Sequence, residues 1–183
     1  ALDDLASERI EVPAQYALSD WTAGGDWLLA RVDQRRVELP ALVRFDPETG
    51  GSQPLLDGRR LRSFRVSPGR TWLAVTRVFE DDPAEDGLYL VATDGGGRPR
   101  RLDIGGGYQW RDDDRLLVIP MEPGARSMTL WQIEAASGRA ERLTGPEEAT
   151  FWVAAGESSG APRGAHVAFR SADDDAIWVI ALP

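Results

Sequence analysis

The feature that most constrains this 183-residue chain is an internal repeat with a step in the mid-forties. The segments DWLLARV (26–32), TWLAVTRV (71–78), DRLLVIP (114–120) and AHVAFRS (165–171) each follow a turn rich in Gly or Asp. Trp27 and Trp72 lie 45 residues apart, Trp72 and Leu116 44, and Leu116 and Val167 51, the excess falling in a longer loop at 156–164. A second series, ALVRFD (41–46), GLYLVATD (87–94), MTLWQIE (128–134) and AIWVIAL (176–182), keeps nearly the same step. A third precedes the first: YALSDW (16–21), SFRVS (63–67), GYQW (107–110) and TFWVA (150–154). A fourth follows the second in three of the units: SQPLL (52–56), RPRRLDI (98–104) and GRAERLT (138–144). Four short apolar strands per unit, at this period, predict an all-β propeller of four four-stranded blades.

The local chemistry agrees with that reading. Apolar runs such as WLAV and LLVI are near-continuous, as strands packed on both faces require, and are not strictly alternating. Gly pairs in TAGGD (22–26) and TDGGG (93–97) supply the positive-φ positions of tight turns, and DPETG (46–50) places Pro and Gly where a turn needs them. Helical patterns are scarce. ALDDLASER (1–9) has letters for one short helical turn or two, and Gly138 interrupts EAASGRAER (134–142). The expected blades are about 16–56, 63–104, 107–144 and 150–182, within a single domain of residues 1–183. The last unit lacks a fourth strand, and 8–12 supplies one without a blade. The expectation is therefore ring closure, with Ile10–Val12 completing the last blade beside Ile177–Leu182 and leaving no long open edge. A half-ring completed by a second copy satisfies the same pattern, so both a monomer and a homodimer stay open.

Composition narrows the function classes. The chain has 21 basic residues, all of them arginine, against 30 acidic ones, for a net charge of −9. That balance argues against gripping nucleic-acid phosphates or an anionic membrane surface. No apolar run approaches the ~18–20 residues of a membrane span. Cysteine is absent, which fits any redox compartment. A chain opening at Ala1 leaves a removed signal or anchor open.

Ser67-Pro68-Gly69-Arg70 with Leu73 and Ala74, the stretch Leu88–Leu102, and Pro162–Phe169 resemble the repeats of TolB-type propellers, which also build the N-terminal propeller of prolyl-oligopeptidase-like serine peptidases. Arg70 and a missing Asp depart from the S-P-D-G turn of that repeat, and RDDDR (111–115) replaces it in the third unit. The resemblance implies a propeller fold and an exported protein, periplasmic or extracellular, with a cytoplasmic one still open. It implies no particular activity, because propellers host many roles.

No catalytic constellation stands out. Gly156–Gly160 matches G-x-S-x-G, but no helix pattern follows it, and the one histidine, His166, sits in an expected strand, so a hairpin loop is the better reading. His166 has no metal-ligand partner at a useful spacing. The acidic clusters at 80–82, 85–86, 112–114 and 173–175 lack calcium-loop spacing and read as solvated turns. DGGG (94–97) and IGGG (104–107) fit no phosphate-binding loop. No cofactor and no metal site is expected.

What remains is a face. The loops 33–40, 79–87, 121–127 and 172–175 share one end of the expected propeller, and the first three are long and densely charged. Loops on a rigid scaffold commonly carry binding. The expected binding residues are Arg35, Arg36, Glu80, Asp81, Asp82 and Arg126 on those loops, with Arg65 and Gln109, and either Ser19 or Trp152, toward a central channel. The expected function is a non-enzymatic module for an unidentified protein or small-molecule partner. The alternatives are a propeller that gates a serine hydrolase encoded outside this sequence, and a small stand-alone glycan-binding or hydrolytic propeller.

Overall fold

The computed structural model describes residues 9–120, 129–144, 159–160, 166–170 and 177–182. The repeat takes the form of successive antiparallel sheets. Strands β1 (Tyr16–Trp21), β2 (Trp27–Arg31), β3 (Leu42–Phe45) and β4 (Ser52–Leu56) make the first, in that spatial order. The second holds β5 (Arg60–Val66), β6 (Trp72–Val78), β7 (Gly87–Ala92) and β8 (Arg100–Arg101). The third holds β9 (Gly106–Trp110), β10 (Arg115–Pro120), β11 (Trp131–Glu134) and β12 (Ala140–Arg142). A fourth sheet joins β13 (Ser159–Gly160), β14 (His166–Arg170) and β15 (Ile177–Ala181). The helix-forming letters at 134–142 give a turn, with Gly138 at φ 74°, and then β12. Among the described residues the one helical segment is a single 3-10 turn at Pro83–Glu85.

The first three units close their first hairpin in the same way. Thr22 N–H donates to the Asp26 carbonyl at 2.8 Å, Ser67 N–H to Trp72 at 2.8 Å and Arg111 N–H to Arg115 at 2.9 Å. An oxygen side chain then ties each turn: Thr22 Oγ1 accepts from Asp26 N, Ser67 Oγ from Trp72 N and Asp112 Oδ1 from Asp114 N. RDDDR thus does the work of the missing S-P-D-G in the third unit. Arg70 takes the left-handed position of its own turn, at φ 61°.

The core lies between sheets. Each middle strand sends alternate side chains to opposite neighbours. From β6, Leu73 and Val75 pack with Leu28, Leu42, Leu55 and Leu56 of the first sheet, while Ala74 packs with Leu116, Val118 and Ile133 of the third. Full burial of such a Leu or Val stabilises by about 1.5–3 kcal/mol. This is why the apolar runs are continuous.

A bulge in β5 decides which residues face where. The β5–β6 register shifts between Arg62 and Arg65, with Ser63 at φ 52°. One extra residue resets the alternation. Leu61, Phe64 and Val66 therefore all reach the core against the first sheet, and Arg60, Arg62 and Arg65 fall on the other side of the strand.

Two expectations are revised. Residues 9–13 form no strand, and the pairing of Ile10–Val12 with β15 is not among the described pairings. Ile10 and Val12 instead pack over Leu29, Val43, Tyr16, Trp27 and Phe45, covering the face of the first sheet that the second sheet does not bury. Ile177 and Val179 stay exposed. In the fourth unit, Ser159–Gly160, expected in a loop, pairs with Ala168 and Val167 as the first described strand; the expected strand 150–154 lies outside the described residues.

Candidate binding face

One end of the first two sheets collects the loops 32–41, 57–59 and 79–86, because β2, β4 and β6 all finish there. The loops are braced from below by one buried and one half-buried guanidinium. Arg31, 9% exposed, donates to the carbonyls of Leu39, Gly58 and Arg59, the last two at 2.8 Å each. It thereby ties the β2–β3 loop to the chain entering the second sheet. Arg77 holds Glu80 at 3.1 Å and Glu85, and lies 5.3 Å from the centre of the Tyr89 ring. Gly58, at φ 146°, lets this happen: a Cβ there would come within 2.9 Å of both Arg77 Nε and Glu80 Oε1.

The acidic loop residues are consumed in building this platform. Glu80 accepts from the Arg59 amide at 2.7 Å, and its own N–H donates to Asp86 at 2.9 Å. Asp81 pairs with Arg59, and Asp82 accepts from Ala84 N at 2.9 Å, capping the 3-10 turn. Of the expected residues, the structure thus brings Glu80 and Asp81 onto Arg59, with Asp82 beside them. Arg36 pairs with Glu38 within its own loop and lowers that carboxyl below its ordinary range through the hydrogen bond. Arg35 is exposed, with its amide on Asp33. Arg65 is exposed on β5, and Gln109 is half-buried on β9 opposite Leu117. Ser19 is exposed at the irregularity in β1. Arg126 and Trp152 lie outside the described residues, as does Ser158 of the G-x-S-x-G motif, whose last two residues form β13 and not an elbow.

The face also carries side chains that were not expected. Val32, Val37 and Phe79 are each more than half exposed. Phe79 follows β6 at φ 63°, a left-handed conformation that is an outlier for a bulky side chain. The guanidinium carbons of Arg60 and Arg62 lie 5.8 and 5.5 Å from its ring centre. Arg60, Arg62 and Arg65 have no ion pair among the described residues. The signal in the sequence is the run RRLR at 59–62, where an arginine alternates with a core leucine.

Strands β5 and β9 run side by side. Tyr108 OH donates to the Ser63 carbonyl, and Trp110 Nε1 to the Arg65 carbonyl at 2.8 Å. Burial pushes the Tyr108 phenol up to about 12. The opposite end holds a small depression of about 280 Å³ between the first two sheets, where Arg44 bridges Asp26 at 2.7 Å and the Asp94 carbonyl. Among the described residues no three His, Asp or Glu side chains converge to hold a metal, and no helix is long and apolar enough to cross a membrane.

No protein-family model matches the chain, and no curated protein sequence matches it. Solved structures do match. Oligogalacturonate lyase in complex with manganese aligns with a TM-score of 0.62 and 15% identity, over 93% of this chain and 52% of its own. The β-propeller domain of the Trilobed protease from Pyrococcus furiosus, described as having an open velcro topology, aligns with a TM-score of 0.51 and 13% identity, over 91% of this chain and 55% of its own. The fold is that of a β-propeller. Acylaminoacyl peptidase from Pyrococcus horikoshii aligns over 90% of this propeller chain and 30% of its own, with a TM-score of 0.50 and 16% identity. The likeness to propeller blades thus extends from the repeats to the fold. The chain spans about half or less of the length of these matched chains. Some of the matched propellers belong to enzymes.

Proposed function

We propose that this propeller is a non-enzymatic binding module that takes a protein or small-molecule partner on the end formed by the loops 32–41, 57–59 and 79–86. One observation carries the reading. The loops are held by buried Arg31 and half-buried Arg77, yet the platform leaves Val32, Val37 and Phe79 in solvent. Pre-ordered loops with exposed apolar anchors lower the ordering cost of binding. The residues in play are Arg35, Arg36, Glu80, Asp81, Asp82 and Arg126, with Arg65 and Gln109 toward the ring centre. The proposal includes a single domain over residues 1–183. It also includes export to the periplasm or the cell exterior, which rests on the sequence resemblance alone.

Photo-crosslinking tests it. A crosslinker placed at position 35 or 82 captures the partner in cells, and one at position 98, on the far end, does not. Capture only from position 98 contradicts the reading.

A second reading is a propeller that gates a serine hydrolase, favoured by the matches to the acylaminoacyl peptidase and the Trilobed protease propeller. It predicts that an antibody to this chain recognises a larger polypeptide labelled by a fluorophosphonate probe.

A further inference from the structure

Phe79 belongs to none of the described hydrophobic clusters and is 59% exposed, so its burial does not explain why a bulky ring occupies a left-handed backbone position. Strain of this kind persists where the surroundings hold it, and it often marks a site of function. The surroundings here are two guanidiniums within cation–π reach of one ring, both repelled by the other and neither paired with a carboxylate among the described residues. The nearby acids do not neutralise them: Asp81 is engaged by Arg59, and Glu80 and Glu85 by Arg77. In a chain of net charge −9, Arg60, Arg62 and Arg65 therefore form a local basic stripe along one strand.

That strand has an open side. β5 is the edge of its sheet and pairs with β6 alone. Its carbonyls at Ser63 and Arg65 are taken by Tyr108 and Trp110, which leaves Arg60–Arg62 as the stretch whose outward backbone groups have no described partner. An extended peptide can add to such an edge through main-chain hydrogen bonds, with alternate side chains giving specificity. Side chains two apart on a strand sit about 6.6 Å from one another, so Arg60 and Arg62 match a peptide with carboxylates at alternate positions.

We infer that the Arg60–Arg62 edge, with Phe79 as its apolar anchor, binds an extended acidic peptide segment of a partner protein. The inference rests on the proposed binding role and narrows it to one partner chemistry. An acidic oligosaccharide offers the carboxylates but not the backbone pairing that the strand edge provides.

The test uses the whole 183-residue chain and a fluorescein-labelled peptide with Glu at alternate positions, read by anisotropy beside its Gln counterpart. The Glu peptide binds and the Gln peptide does not. R60E and R62E each weaken binding at least about tenfold, as like-charge juxtaposition demands, and added salt weakens it further. F79A weakens it several-fold, while R98E, an equal charge change at the opposite end, leaves it unaltered. Thermal melting shows each variant folded. Equal loss from R62E and R98E, equal binding of the two peptides, or no binding of the Glu peptide to the folded wild type overturns the inference. So does an oligouronate that binds at Arg60 and Arg62 where the peptide does not. A partner crosslinked from position 35 or 82 whose capture survives R60E and R62E overturns the acidic-peptide assignment while the binding role stands.

Discussion

Replacing Arg31 by Met removes the brace beneath the binding face while leaving most of its packed stem in place. The side chain is 9% exposed and donates to three main-chain carbonyls, those of Leu39, Gly58 and Arg59. Hydrogen bonds from a charged donor contribute about 1.5–3 kcal/mol each, so three at the low end amount to about 4–5 kcal/mol. Part of that returns, because Arg31 Nε is buried without a partner and an uncharged Met escapes the cost of burying the cation. Taking about 1–2 kcal/mol for that relief leaves a net loss of about 3 kcal/mol for R31M. R31K keeps the charge but cannot span three carbonyls with one ammonium, so its loss is smaller and still clear. Urea unfolding followed by tryptophan fluorescence reads both. At a slope of about 2 kcal/mol per molar, the R31M midpoint falls by about 1.5 M. An R31M protein within about 0.5 kcal/mol of wild type would falsify the reasoning, since a change that small is the ordinary effect of a surface substitution.

Three further outcomes follow from the same contacts. F79G relieves the left-handed strain, worth about 1–2 kcal/mol, and loses two exposed cation–π contacts of about 0.5–1 kcal/mol each, so stability by chemical unfolding stays within about 1 kcal/mol of wild type; a large loss would mean that the ring serves the fold. Tyr108 is held protonated in the folded chain, its phenol raised to about 12 from the ordinary 10. Its contribution is complete below pH 10 and fades as the pH rises toward 12, by at most about 2 kcal/mol, and Y108F shows a flatter stability curve across that window. Leu90, 1% exposed between the second and third sheets, costs about 2–5 kcal/mol when cut to Ala, measured by thermal or urea unfolding.

The strands were legible because the repeat is carried by core residues. Leu73, Ala74, Leu88, Leu116 and Val118 recur at the period because each must fill the gap to a neighbouring sheet, and those gaps recur with the blades. β5 begins three residues before the strand that the sequence pattern marks, since Arg60 and Arg62 interrupt an apolar pattern that resumes after the bulge at Ser63. Spacing alone does not reveal that extra residue. The N-terminal segment illustrates another limit: Ile10 and Val12 have the letters of a strand, but packing over Leu29 and Phe45 half-buries them without one. Of the face, the charged loops were visible from composition. The role of Glu80 as an acceptor beneath the loop, and the exposure of Phe79 beside Arg60 and Arg62, depend on contacts between residues about 20 apart that periodicity does not encode.

The claim beneath all of this is that stacked four-stranded blades form the rigid body that holds the loop end. Residue-resolved hydrogen exchange of the native chain tests it directly. The account predicts the slowest amides in the middle strands, at Leu28–Leu29, Leu73–Val75, Leu88–Val91 and Leu116–Val118, with faster exchange at the short outer strands Arg100–Arg101 and Ala140–Arg142. Protection spread evenly over inner, middle and outer strands, or missing from the middle strands of any of the first three units, would contradict it.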